Sequence, residues 1–265
     1  MSTTQAHKAF RVTVLILVRS ALRSTRLAAR RAAAAMGALV LLASSPAGAE
    51  QKGHCSGSRA VTVVYDDASE LDAACQAVGE VSGYFRGIGF DVPSKVLLRF
   101  ADRAGEDYTG HATAHGYFDV QRSQIVMYRL SDTKPWRQPF SSKLLASFTR
   151  HEIVHLAIWE ALQGDLKRLR REWHEFIAYA IQLDLMDPEL SQQVLATQAD
   201  VVAAKDLVQI NEFSYGMNPE GFAVLAYKTY LDRGAAVFVR QLLNGEIKPL
   251  PFSYPFAVLP HEVQR

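Results

Sequence analysis

The chain has 265 residues, 49% hydrophobic and 10% aromatic, enough to bury a full core and too apolar for a disordered polypeptide. Its formal charge of +2 hides an asymmetry: residues 1–49 carry seven Lys or Arg and no acid, and the remainder has 22 basic against 27 acidic residues, about −5. With no Lys/Arg cluster interleaved with aromatics, that balance argues against a nucleic-acid partner, and "KRLRRE" at 167–172 reads as the solvated face of a helix.

The first 49 residues have targeting composition. Basic positions from Lys8 to Arg31 precede the apolar stretch "AAAAMGALVLLA", which is too short to span a bilayer, and "SSPAGA" follows with small residues at Ala47 and Ala49. A signal peptide over 1–49, cleaved after Ala49, is expected. It leaves one domain over 50–265, periplasmic or secreted, with no stable membrane association; an uncleaved anchor is the alternative. Export would carry the only two cysteines, Cys55 and Cys75, to an oxidising compartment, where a disulfide is expected and two buried thiols are the alternative.

"RAVTVVYDD" alternates and is rich in valine, so it reads as a strand, and "SELDAACQAVGEVSGYFRGIG" repeats apolar residues at helical spacing until its glycines. "SKVLLRF", "HGYFDV" and "QIVMYRL" read as three more short strands. A small mixed sheet with one helix is thus expected over 59–130, followed by an all-helical half, an α+β fold. From Ser141, "SSKLLASFTRHEIVHLAIWEALQG" starts at a serine cap and ends at Gly164. "DLKRLRREWHEFIAYAIQLDLMDP" reads as a second helix, residues 189–205 as a third, and "NPEGFAVLAYKTYLDRG" as a fourth with Asn218 as cap and Pro219 at the first helical position. "AAVFVRQLLNG" is the last, before an extended tail with Pro249, Pro251, Pro255 and Pro260.

The helix from Ser141 contains "HEIVH". His151 and His155 lie about one turn apart, so both imidazoles project from one face and can reach one ion, for which zinc is the suitable metal. Glu152 sits about 100° round the helix, away from the coordination face but placed to take a proton from a water at the metal. The competing reading is an ordinary buried helix face. Three ionisable groups beside Leu156, Ile158 and Trp159 would be costly there without a partner, which favours the metal. A third ligand comes from "REWHEF": an antiparallel hairpin rising ~1.5 Å per residue returns Glu175 level with His155, leaves Glu172 about one turn short and turns His174 elsewhere. Glu175 is preferred over Glu172. His111 and His115, in the turn-rich "TGHATAHGYF", are expected to be exposed loop histidines, and His54 and His261 lie near the termini.

His-Glu-x-x-His followed after twenty residues by a helix-borne Glu, here within "HEFIA" with the small Ala178 three positions on, resembles the gluzincin metallopeptidases, the group containing thermolysin and the neutral aminopeptidases. The resemblance covers about residues 95–245. The metzincin pattern fits less well, since it needs Gly and His where Ile158 and Ala161 stand. The resemblance implies a zincin-like fold, Zn2+ on His151, His155 and Glu175, Glu152 as general base, a peptide or protein substrate, and a Tyr or His from the later helices that steadies the oxyanion. Tyr215, Tyr227 and Tyr230 are the candidates, with Tyr227 favoured. In one place the chain departs from the thermolysin pattern: Tyr179 stands where an Asp would orient a histidine, so that partner is unassigned. The alternative function is a periplasmic binding or assembly module with a structural zinc or no turnover. The oligomeric state is not legible.

Overall fold

A computed structural model describes residues 50–56, 58–91, 95–102, 115–129 and 134–249. The expected signal peptide and its cleavage site, His111, His261 and the tail beyond Pro249 lie outside the described residues. Five strands, β1 (Gln51–Cys55), β2 (Ser58–Tyr65), β3 (Val96–Ala101), β4 (Gly116–Asp119) and β5 (Gln124–Tyr128), form one mixed sheet in the order β1-β2-β3-β5-β4. The three central strands are parallel to one another, and β1 and β4 run antiparallel at the two edges. The fold is α+β: this sheet precedes an all-helical half, as the sequence pattern indicates.

The β2–β3 crossover is α1 (Ala68–Gly87), begun by a capping box in which the Asp67 carboxylate accepts from Ser69 N–H and the Glu70 side chain accepts from the cap. Its apolar face, with Ala74, Val81 and Phe85, is buried in one core with Leu98 and Ile125 of the sheet. The next helix, α2 (Ser142–Ala161), is capped by Ser141, whose hydroxyl accepts from Leu144 N–H. It packs against α1, where buried Arg150 is neutralised by Glu80. Then come α3 (Arg171–Asp184), α4 (Pro188–Thr197), α5 (Glu212–Met217), α6 (Pro219–Asp232) and α7 (Ala236–Leu243). α3 packs on α2 on one side and α6 on the other, through Trp173, Phe176, Ile177 and Ile181. Among the described residues no helix is long and apolar enough to cross a membrane.

Four boundaries differ from the sequence expectation. β1 was not anticipated, because "QKGHC" is polar and mostly exposed; it is held as an edge by pairing with β2. The second helix of the helical half starts at Arg171 and not at Asp165, since Leu166–Arg168 forms a 3-10 turn. The third ends at Thr197, whose hydroxyl donates to Val194 O, so the run to 205 is not helical. Finally, α5, capped by Asn211, is a separate helix over a stretch to which the sequence pattern assigns none.

Cys55 at the end of β1 is bonded to Cys75 on α1, with Cα atoms 5.1 Å apart. Closing a loop of sequence separation 20 is expected to add about 3 kcal/mol to unfolding. Urea denaturation with and without reductant measures it, and coincident curves would mean that the bridge constrains nothing.

Candidate metal centre

On α2, Ser147, His151 and His155 follow one another at intervals of four and share a face. On α3, Glu175, Tyr179 and Gln182 do the same at four and three. The two faces meet antiparallel: Gln182 lies against Ser147 and His151, Tyr179 against His151, and Glu175 against His155. His151 Nε2 is 3.1 Å from His155 Nε2 and 3.4 Å from Glu175 Oε2, and His155 Nε2 is 3.8 Å from the same oxygen. Metal bonds of about 2.0–2.1 Å at tetrahedral angles place donor atoms about 3.3–3.4 Å apart, so the three side chains fit a small divalent cation without rearrangement. His151, His155 and Glu175 could therefore hold a metal ion.

The orientation of His151 is built in. Its Nδ1 donates to Gln182 Oε1 at 3.0 Å, and Gln182 Nε2 donates to Ser147 Oγ at 3.0 Å, which leaves the His151 Nε2 lone pair aimed at the triad. Gln182 is fully buried. It takes the orienting role for which the residue four after Glu175 was the expected place; Tyr179, which stands there, packs its ring 4.4 Å from that of His151.

The charges converge on one point. Burial pulls His155 down to about 3 despite the Glu175 carboxylate beside it. Burial acts the same way on His151, but the Glu175 hydrogen bond and the charges of Glu152 and Glu175 outweigh it and hold this ring above its ordinary value. Burial alone would raise Glu175, yet His155 and His151 bring it to about 2. Between the two imidazoles in contact, an added proton is therefore favoured on His151 over His155. The surroundings thus favour positive charge at the place a cation would take. Glu152 stays outside the triad, 8% exposed, and burial with the Glu175 charge lifts it to about 7 against the pull of His151. Strand β4 closes over it: a Cβ at Gly116 would lie 3.0 Å from Glu152 Cγ and 2.7 Å from Val126 O, so only glycine permits this approach.

The other residues named from the sequence fall elsewhere. Glu172 is buried in an ion pair with Arg170 at 2.6 Å, and His174 Nε2 donates to Leu169 O at 2.8 Å, closing the α2–α3 connection. His54 bridges to Val61 O. His115 is not an exposed loop histidine: it is half-buried, its ring 4.0 Å from that of Phe148. Tyr227 lies 6.3 Å from Tyr230, whose hydroxyl donates to Asp184, at the opposite end of α3 from Glu175. The fold does not bring Tyr227 to the histidines, because that face of α6 turns toward Asp184 and Tyr84. The tyrosines at the site are Tyr179 and Tyr215. Tyr215, on α5, has its ring 6.5 Å from that of Tyr179; burial and then the Glu175 charge push its phenol up to about 12, while Arg171 draws it back.

His151→Ala is expected to empty the site and Glu172→Ala to leave it loaded, read as bound metal after dialysis. Gln182→Leu should weaken metal affinity about 10–100-fold, as loss of an orienting partner does. Because a metal must displace the His151 proton, affinity should fall about tenfold per pH unit once that ring is protonated. Metal titrations at several pH values check this, and a flat profile would place the proton elsewhere.

The model of the DUF6639 family, a family of unknown function, matches residues 61–249. No curated protein and no solved structure matches the chain. The match takes in most of the sequence, all three triad residues, Glu152 and Gln182, and the chain belongs to the DUF6639 family.

Proposed function

We propose that the chain is an exported zinc-dependent peptidase of gluzincin type. One observation carries this reading: three donor atoms 3.1–3.8 Å apart stand beside a buried carboxyl that is not one of them. A structural metal site has no need of the fourth group; hydrolysis requires a base there. Zinc is the metal that suits two imidazoles and one carboxylate in this spacing. When bound, it supplies Lewis acidity, acidifying water and polarising a carbonyl.

Glu152 takes the proton from the attacking water and passes it to the leaving amine. With its carboxyl at about 7 in the metal-free site, it is poised for both transfers near neutral pH, and a nearby cation shifts it toward the base form. The Tyr215 hydroxyl, still protonated at neutral pH, is the donor for the developing oxyanion in place of Tyr227. A peptide substrate is supported by β4, an edge strand among the described residues whose Gly116 lies against Glu152. An extended chain added to that edge would pass its backbone in front of the carboxyl. Export is supported by the Cys55–Cys75 bond, which persists in oxidising compartments, and by the targeting composition of residues 1–49.

Glu152→Gln keeps the size of the side chain but cannot accept a proton. Turnover of a mixed peptide library is expected to fall about 100–10,000-fold while bound zinc stays at one per chain. An active wild type unaffected by Glu152→Gln contradicts the mechanism, and a zinc-loaded wild type that cleaves nothing favours a binding or assembly module. Tyr215→Phe should lower kcat about 100-fold with little change in KM, whereas Tyr227→Phe should not. The reverse pattern would return the oxyanion role to Tyr227.

A further inference from the structure

Arg171 opens α3 one turn before Glu175, on the same helical face. It is exposed, its guanidinium carbon stands 5.6 Å from the centre of the Tyr215 ring, and its charge is felt by both His155 and Glu175. Its place one turn before Glu175 and against the Tyr215 ring puts it on the side of α3 that carries the triad. Among the described residues it makes no ion pair, whereas its neighbour Arg170 is engaged by Glu172. The Tyr215 ring holds the guanidinium without neutralising it, and an aromatic face leaves most of the five N–H donors open at the edge.

We propose that Arg171 is a specificity-determining residue that receives a carboxylate of the substrate, from an acidic side chain or from the free end of a peptide. This rests on the peptidase reading for the nature of the rest of the ligand. The planar guanidinium fork matches a carboxylate in two parallel hydrogen bonds, which an ammonium could not do. Arg171 precedes Glu175 by one turn, a rise of about 6 Å, so the recognised carboxylate lies on the N-terminal side of the triad along α3. The counter-charge has a purpose there. Glu152 and Glu175 would repel an anionic substrate, and Arg171 is the cation beside them that can reverse that preference.

The test measures binding, so it does not depend on turnover. Zinc-loaded Glu152→Gln protein is titrated calorimetrically with N-acetylated tetra-alanine peptides carrying Glu or Gln at each position in turn, each as free acid and as amide. At least one carboxylate-bearing peptide should bind about tenfold or more tighter than its neutral counterpart. Adding Arg171→Gln should erase that difference while leaving affinity for the neutral amides, zinc content and thermal midpoint unchanged. A Glu-over-Gln preference identifies the acidic side chain as the source, and an acid-over-amide preference identifies the chain end. Three results overturn the proposal: a preference that survives Arg171→Gln, a loss spread evenly over all peptides as a mere clamp on Tyr215 would give, or no peptide binding. A wild type that cleaves nothing yet shows the Arg171-dependent preference would remove the peptidase reading and sustain this one.

Discussion

Two helices packed antiparallel meet in steps of about one turn, ~5.4 Å, so a one-turn slip between α2 and α3 would carry Glu175 past His155 and leave both histidines without their acid. The register is held by groups on either side of the triad. At one end the Gln182 amide spans Ser147 and His151, both from α2. At the other, His174 donates to the Leu169 carbonyl and fixes the short connection between the helices. On the same face as Glu175, Tyr179 and Gln182, Ala178 is fully buried and small enough to let the backbones approach. A polar network of this kind constrains more than an apolar contact would, because a slip leaves every buried donor unpaired.

The same seam concentrates charge where water is scarce. Glu152 and Glu175 stand beside the buried ring of His151 and the partly buried ring of His155, and the charge of Glu175 raises Glu152, a repulsion that a cation would relieve. The Glu175 hydrogen bond and the neighbouring carboxyls favour a proton on His151, and a divalent ion would supply more positive charge at the same place. The surroundings are two-sided. β4 brings bare backbone to Glu152 on one side through Gly116, and α3 and α5 bring the hydroxyl of Tyr215 and the cation of Arg171 on the other. On the proposed reading, the groups that would bind, deprotonate and position a peptide come from different elements around one helix pair, which itself carries the three side chains that could hold a metal.

Local patterns carried much of this. Alternation found β2 to β5, and the 3.6-residue period found α1, α2, α6 and α7, because each has one face in a continuous core. His151, His155 and Glu175 were legible because helical spacing sets which residues share a face. The hairpin count behind Glu175 nevertheless assumed an unbroken helix from Asp165; a 3-10 turn stands there, and the triad still closes because the irregular connection spans the missing length. What was not legible depends on contacts between elements. Gln182 lies seven residues after Glu175 and Ser147 four before His151, spacings visible in the sequence, but nothing local says that the two side chains meet. Tyr215 was among the candidates but nothing local ranked it first, since its six-residue helix is too short to show a period. Tyr227 has the better helical context, and its face is set by Asp184 and Tyr84, far along the chain.

On the proposed reading, α2 and α3 hold a zinc ion through three side chains and leave it open to water and substrate. A crystal structure of the zinc-loaded chain with anomalous data at the zinc edge tests it most directly. The account predicts one strong peak about 2.0–2.2 Å from His151 Nε2, His155 Nε2 and a Glu175 oxygen, with solvent in the remaining position and the Glu152 carboxylate beside that solvent. A peak elsewhere, or a fourth protein side chain closing the coordination sphere, would contradict it.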